Sequence, residues 1–286
     1  MEVEDVRLGA ELERLTEGAT WCPVWHLQRP LSPTTATAAP PLPSSTYLKM
    51  APAGTLAADV AVMQLLKSCD VPAPHVLHYA QGGEGQADFL LISALAGVHG
   101  ATAEALSRPE ALVRSFAGGL QSLHGQHSTA LLRSAEDLGA KFDRRVAVRV
   151  ARVERRLRVG EVPGHAERLE AILAHVAKPP PNVESDLVFT HGDYCLPNVI
   201  FQILNNQAGE TEAELRVVGF VDLGSAGVAD RYVDLASAVW SLRFNGLEKH
   251  VPAFLQCYTA RSELSGHKIT INQDKLDWYI NMFTLT

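Results

Sequence analysis

The stretch FTHGDYCLPNVIF, residues 189–201, gathers a histidine, an aspartate and an asparagine between two apolar runs. Gly192 before the aspartate and Pro197 beside the asparagine break any helical pattern and predict a loop. Asp193 and Asn198 are five residues apart, and a further aspartate, Asp222, follows the apolar strand-like run GFV in GFVDLG, 219–224. These residue types suit the transfer of a phosphoryl group. Such a reaction needs a carboxylate beside the attacking hydroxyl, hard oxygen ligands for Mg2+, and a cation on the inner phosphates. Asp193 is the candidate base, Asn198 and Asp222 the candidate metal ligands, and Lys49 in TYLKM the candidate phosphate partner.

The order strengthens the reading. An H-x-D-x-x-x-x-N loop, then a strand ending in D-x-G, downstream of a strand lysine, is the layout of the protein kinases. Any one of these patterns arises by chance; four in order, in matching strand and loop contexts, do not arise so easily. Other chemistries fit less well. There is no G-x-x-x-x-G-K-[ST] phosphate loop, and GGEGQ (82–86) reads as a turn between strands. His75/His78 and His124/His127 have i, i+3 spacing but no third ligand nearby, so packing or surface roles suit them better. His191 reads as a brace for the loop. Cys195 lacks a paired histidine of its own, and phosphoryl transfer needs no thiol.

The elements that must position these residues follow from periodicity. Residues 5–16 read as a short amphipathic helix and TYLKM (46–50) as a strand. GTLAADVAVMQLLKSC (54–69) has helical spacing. VPAPHVLHYA and ADFLLISAL read as strands joined by the turn 81–86. Helical patterns then dominate at about 103–126, 141–158 and 164–177. DLVFT, NVIF and LRVVGFVDLG are strand-like. DRYVDLASAVWSL reads as a helix with Asp230 as its N-cap and Tyr232, Leu235, Ala236 and Val239 on its buried face. Helices at about 248–263 and 273–283 end the chain. A strand-rich first third and a mostly helical remainder predict two unequal lobes, with a break near 94–98.

Composition is compatible with this. With 286 residues, 47% of them hydrophobic, and a mean hydropathy near zero, the chain can bury a sizeable core. The formal charge of −7 argues against a nucleic-acid partner and suits a cationic small substrate. The four cysteines have no paired spacing, the N-terminus carries no apolar leader, and no apolar run is long enough to span a membrane. A cytoplasmic protein with reduced thiols is expected.

THGDYCLPNVIF, GFVDLGSAGVADRYVDLA and the arginine-rich RVARVERRLRVGEV together resemble the aminoglycoside 3′-phosphotransferases, bacterial antibiotic-resistance enzymes with a protein-kinase-like fold. The resemblance is closest over about 140–245 and extends from about 18 to the C-terminus. It implies an α+β, bilobal fold: a small, sheet-containing nucleotide lobe at 1–97 with a hinge at 93–97, and a mostly helical catalytic and substrate lobe at 98–286. It implies ATP and Mg2+ as cofactors and a hydroxyl of a small molecule, an aminoglycoside, as acceptor. Asp193 matches the base, Asn198 and Asp222 the magnesium ligands, and Lys49 the phosphate lysine. Ser93 and Leu95 fall in the segment expected to meet the adenine, and Thr20 in the loop over the nucleotide.

The chain also departs from the family. Asp59 stands where a glutamate usually pairs with the lysine, so the helix that carries it must approach about one methylene closer. The proline-rich 30–45 and the segment 202–215 lengthen two connections. Ser225 follows Asp-Leu-Gly where the family usually has arginine. Phe244, Asn245, Phe283, Thr284 and Thr286 lie where substrate-side acids or terminal residues are usual. Losing carboxylates from a polyamine site weakens it by roughly a kilocalorie per mole or more for each close pair. Glu161, Glu167, Glu170 and Glu184 are the carboxylates available to compensate. A kinase of another hydroxylated metabolite, an amino alcohol or a sugar, is therefore an alternative. So is a nucleotide-binding protein without catalysis, although Lys49, Asp193, Asn198 and Asp222 are all present.

Overall fold

A computed structural model describes residues 11–15, 23–28, 45–83, 85–125, 128–137, 139–158, 165–204, 214–264 and 269–285. The first part is a five-stranded antiparallel sheet with one helix. Its strands are β1 (Glu11–Leu15), β2 (Val24–Gln28), β3 (Ser45–Pro52), β4 (Val76–Ala80) and β5 (Ala87–Ser93), in the order β1-β2-β3-β5-β4, and α1 (Ala57–Ser68) lies between β3 and β4 in sequence. β3 is central, so Lys49 is held between Val24 on β2 and Leu90 on β5. The buried Val62, Met63, Leu65 and Leu66 of α1 join Leu90 and Ile92 of β5 in the core. The fully buried Asp88 ties the helix start to the sheet: it accepts Leu56 N–H (3.0 Å), Gly82 N–H (3.0 Å) and the Tyr79 hydroxyl (3.2 Å). Burial works to raise its pKa, but these donors prevail and hold the carboxyl below its ordinary range.

The remainder is mostly helical. In order it contains β6 (Val98–His99), α2 (Ala103–Leu106), α3 (Pro109–His124), α4 (Ser128–Asp137), α5 (Val146–Arg158) and α6 (His165–Val176). Then come β7 (Leu187–Thr190), β8 (Val199–Leu204), β9 (Glu214–Phe220), β10 (Gly227–Asp230), α7 (Tyr232–Phe244), α8 (Val251–Leu264) and α9 (Gln273–Leu285). Two small antiparallel sheets, β6-β8-β9 and β7-β10, present the loops that follow β7 and β9. Phe116 of α3 stacks on Tyr194 and meets Phe254 of α8 at a tilt, all three fully buried in the helical core. Among the described residues no helix is long and apolar enough to cross a membrane.

Several expectations need correction. The helix expected over 5–16 is, at 11–15, strand β1, paired with β2 as Leu12↔Leu27 and Arg14↔Trp25; pairing overrides the local 3.6-residue spacing of Leu12 and Leu15. The helix expected over 103–126 divides at Arg108, where Pro109 takes the first position of α3. α4 and β10 were not anticipated, and the helix expected from 141 begins at Val146. At the start of α7 the capping position is Arg231, with no side-chain cap; Asp230 instead ends β10, accepts Tyr232 N–H at 3.2 Å and pairs with Lys275 at 2.6 Å. α7 is buried nearly all round rather than on one face. Thr20 and nearly all of the proline-rich segment 30–45 lie outside the described residues.

Candidate active site

The loop from His191 to Asn198 leaves β7 through Gly192, whose φ is +83°. That left-handed geometry favours glycine, and a Cβ there would come within 2.0 Å of the Ser225 carbonyl oxygen. Four of the loop's backbone N–H groups are claimed by α7, while those of Cys195 and Asn198 bond to carbonyls within the loop. Asp234 accepts from His191 N (2.7 Å) and Gly192 N (2.8 Å), the Ser237 hydroxyl from Tyr194 N (2.9 Å), and the Ser241 hydroxyl from Leu196 N (2.9 Å). Positions 234, 237 and 241 recur at helical spacing, so one stripe of α7 satisfies donors that the buried loop cannot give to water. These three residues escaped the sequence reading. The signal was there: three polar residues at i, i+3, i+7 in a helix whose other residues, apart from Arg243 in the last turn, are apolar or aromatic.

A buried relay stands behind Asp234. His124 Nε2 lies 3.0 Å from Asp234 Oδ2 and its Nδ1 lies 2.8 Å from the Tyr258 hydroxyl. Burial lowers the His124 pKa and the neighbouring Asp234 raises it, with burial prevailing. A neutral ring then donates through Nε2 and accepts from Tyr258 at Nδ1. Arg231 donates to the Tyr258 hydroxyl (2.8 Å) and forks onto Asp186. The packing role assigned to His124 is thus a hydrogen-bonded one; His127 lies outside the described residues.

Asn198 donates its side-chain amide to the backbone oxygen (3.0 Å) and to Oδ2 (3.1 Å) of Asp193. The Cys195 thiol donates to Asp193 Oδ1 at 3.0 Å. Burial, reinforced by the Asp193 charge, pushes the Cys195 pKa far upward. It stays protonated, a hydrogen-bond donor rather than a nucleophile.

The segment after β9 closes the site. Val221 donates N–H to the Asn198 carbonyl (2.9 Å), and the Val221 carbonyl lies 2.9 Å from His191 Nε2. Asp222 follows at φ +57°, ψ +58°, a left-handed conformation uncommon for a residue with a side chain. Its Oδ1 lies 3.4 Å from Lys49 Nζ, and Asp59 Oδ2 lies 3.6 Å from the same atom. Asp59 is buried, and burial raises its pKa against the pull of Lys49. A Cβ on Gly224 would meet Asp59 Oδ1 at 2.5 Å, so α1 sits tightly against the Asp-Leu-Gly turn. Lys49, Asp59 and Asp222 therefore form one cluster and Asp193 with Asn198 another, joined through Val221.

Asn198 and Asp222 offer an amide and a carboxylate, the hard donors that Mg2+ takes alongside phosphate oxygens. Among the described residues no group of three or more His, Cys, Asp or Glu side chains converges as a closed metal cage. Ser93 exchanges hydrogen bonds with His75 through its N–H (2.9 Å) and its hydroxyl (2.8 Å). Leu95 packs over Gly219 of β9.

On the expected substrate side, Trp240 stacks on Phe244 (centroids 5.0 Å apart) and meets Phe283 at 5.5 Å; Phe244 is 75% exposed. Asn245 donates to the Ser241 carbonyl and Thr284 to the Asn281 carbonyl, each at 2.8 Å. Glu184 accepts Val146 N–H at the start of α5, and Glu167 and Glu170 are exposed on α6. Glu161 and Thr286 lie outside the described residues. Two arginines of α5 were not singled out from sequence: Arg149 Nη1 donates to the Gly192 carbonyl and Arg152 Nη1 to the Gly224 carbonyl, each at 3.4 Å.

Residues 42–267 match the model of the phosphotransferase enzyme family. An aminoglycoside 3′-phosphotransferase of Niallia circulans is 32% identical over 246 residues, 82% of each chain. A streptomycin 3″-kinase of Streptomyces griseus is 29% identical over 259 residues, 84% of each. Among solved structures, an aminoglycoside 3′-phosphotransferase of type VIII superposes with a TM-score of 0.69 at 22% identity, covering 97% of this chain and 94% of that one. An aminoglycoside phosphotransferase of Streptomyces rimosus in complex with ADP and streptomycin gives 0.67 at 22% identity, covering 97% and 93%. The fold is the α+β, protein-kinase-like one of these enzymes.

Proposed function

Since this chain belongs to the phosphotransferase enzyme family, we propose that it moves the γ-phosphoryl group of Mg2+-ATP to a hydroxyl of an aminoglycoside. The observation that carries the reading is the convergence of Asp193, Asn198, Asp222 and Lys49 from three separate stretches of sequence. Asp193 orients the acceptor hydroxyl and accepts its proton, while the Asn198 amide holds the carboxylate in place. Asn198 and Asp222 would hold Mg2+, which neutralises charge on the phosphates when bound. Lys49, steadied by Asp59, meets the inner phosphates. The similarity to aminoglycoside and streptomycin phosphotransferases, and to a structural neighbour holding ADP and streptomycin, supports a nucleotide donor and an aminoglycoside acceptor. We place the division between nucleotide and acceptor lobes at 93–97, where the five-stranded sheet ends; Leu95 of that segment would flank the base.

A second acceptor class is favoured by one observation: the exposed Phe244 stacks on the half-buried Trp240, which also meets the half-buried Phe283, and Phe244 and Phe283 stand where carboxylates were expected. Aromatic faces attract an ammonium group more weakly than a paired carboxylate does, and they suit an amino alcohol or a sugar face. A coupled ADP-release assay with Mg2+-ATP, comparing kanamycin and neomycin with amino alcohols and sugars, tests both. ADP release that depends on an aminoglycoside supports the first reading. Release only with another acceptor replaces it with the second, and release with no acceptor in a wide panel removes both.

A further inference from the structure

Helix α5 packs beside α6 and α9 in the helical part of the chain. Its Val153 packs with Ile172 of α6 and Met282 of α9 in a small core of their own, and its first turn is capped by Glu184. From this base it directs two guanidinium groups, one helical turn apart, at the two loops that carry the candidate chemistry. Arg149 donates to the oxygen of Gly192, the residue before Asp193. Arg152 donates to the oxygen of Gly224, two residues beyond Asp222. The two acceptors belong to chain segments already in contact, because Gly192 lies against the Ser225 carbonyl.

Gly192 is therefore held from both sides: its N–H by Asp234 of α7 at 2.8 Å and its carbonyl by Arg149 of α5. That carbonyl is in the peptide joining Gly192 to Asp193, so its direction sets the backbone from which the Asp193 side chain departs. Arg149 is compensated by the charges of Asp234 and Asp193, and Arg152 acts on Asp59. Burial depresses the Arg149 pKa, but a guanidinium remains charged throughout the range in which enzymes work.

We propose that Arg149 and Arg152 are positioning residues for phosphoryl transfer: α5 brackets the two loops and fixes where Asp193 and Asp222 stand relative to each other. The two arginines have separable duties. Arg149 orients the Asp193 peptide and so governs turnover. Arg152 orients the Asp-Leu-Gly turn and so governs how Mg2+ and nucleotide bind. The proposal rests on the phosphotransferase reading of the site given above.

The test uses the full chain and the variants R149M, R149K and R152M, with D193N as control. Methionine keeps much of the apolar stem and loses the fork, and lysine keeps the charge without the fork. R149M is expected to lower kcat by roughly tenfold or more while KM for ATP changes less than about threefold, since small misplacements of a reacting group are costly. R149K restores only part of that loss. R152M is expected to raise, by roughly tenfold, the Mg2+ concentration needed for half-maximal AMP-PNP binding in calorimetry without acceptor. Variants that differ from wild type only in melting temperature, or that raise only KM for the acceptor, overturn the proposal. If R149M does not fold, the kcat of R149K decides: a wild-type value overturns it. D193N separates the two levels. Turnover kept in D193N defeats the site reading itself, whereas turnover lost in D193N but kept in R149M defeats only the bracket.

Discussion

The side-chain amide of Asn198 reaches back five residues to bind Asp193 twice, at its backbone oxygen and at carboxylate Oδ2. The first hydrogen bond closes the loop and the second fixes the carboxylate rotamer. One residue proposed as a metal ligand thereby also orients the proposed base, and the spacing of the two in sequence is what permits it. Asn198→Ala is expected to lower kcat by roughly 10²-fold and to weaken Mg2+-dependent nucleotide binding as well. A variant that lost only one of the two would separate these roles. Steady-state kinetics at several Mg2+ concentrations distinguish the cases.

Asp234 is the structural counterpart of that arrangement. It is fully buried and accepts from two backbone amides and His124. Asp234→Ala leaves those donors without a partner, at about 1–3 kcal/mol for each. The expected result is an unfolding free energy lower by about 3 kcal/mol or more in denaturant titration, with rapid hydrogen exchange at the His191 and Gly192 amides. Stability within 1 kcal/mol of wild type, about the worth of one ordinary hydrogen bond, would mean that the loop holds itself.

Asp88 links pH to the stability of the five-stranded sheet. Its pKa in the folded protein lies below the ordinary 3.8. The sign follows: its stabilising contribution is complete above the ordinary value and is lost as pH falls through the depressed folded value. Asp88→Asn should cost about 1–3 kcal/mol at neutral pH, because the new amide presents hydrogens to groups that are already donors. The difference between wild type and variant should shrink below pH 3.8. Acid titration of the unfolding free energy for both proteins checks this; a gap that widens in acid would contradict it.

Gly224 carries the close approach of α1. A methyl group there would meet Asp59 Oδ1 at 2.5 Å and displace it from Lys49. Gly224→Ala is expected to raise KM for ATP by roughly three- to tenfold through loss of a charge-assisted pair, with a small change in stability. An unchanged KM would show that Asp59 does not support Lys49.

The residues proposed for the chemistry were all candidates from sequence, for identifiable reasons. Asp193, Asn198, Asp222 and Lys49 stand in short motifs whose spacing follows from the chemistry, and the strands that carry Lys49 and precede Asp222 have clear apolar patterns. The supporting shell was not readable. Asp234, Ser237 and Ser241 look like interruptions of an apolar helix until the loop they serve is folded against them. Arg149 and Arg152 sit in an arginine-rich helix where nothing in the local pattern distinguishes the two that reach the loops from Arg145 or Arg155. Strand β1 was misread because ELERL carries helical spacing, and its pairing partner β2 lies nine residues further along the chain. Long-range pairing, not local preference, decides such segments.

The most direct test of the central claim is Asp193→Asn, measured for nucleotide binding by calorimetry and for turnover by ADP release with Mg2+-ATP and the best acceptor. The account predicts nucleotide affinity close to wild type and turnover lower by roughly 10²-fold or more. Unchanged turnover would contradict it, and would remove Asp193 from the chemistry of this protein.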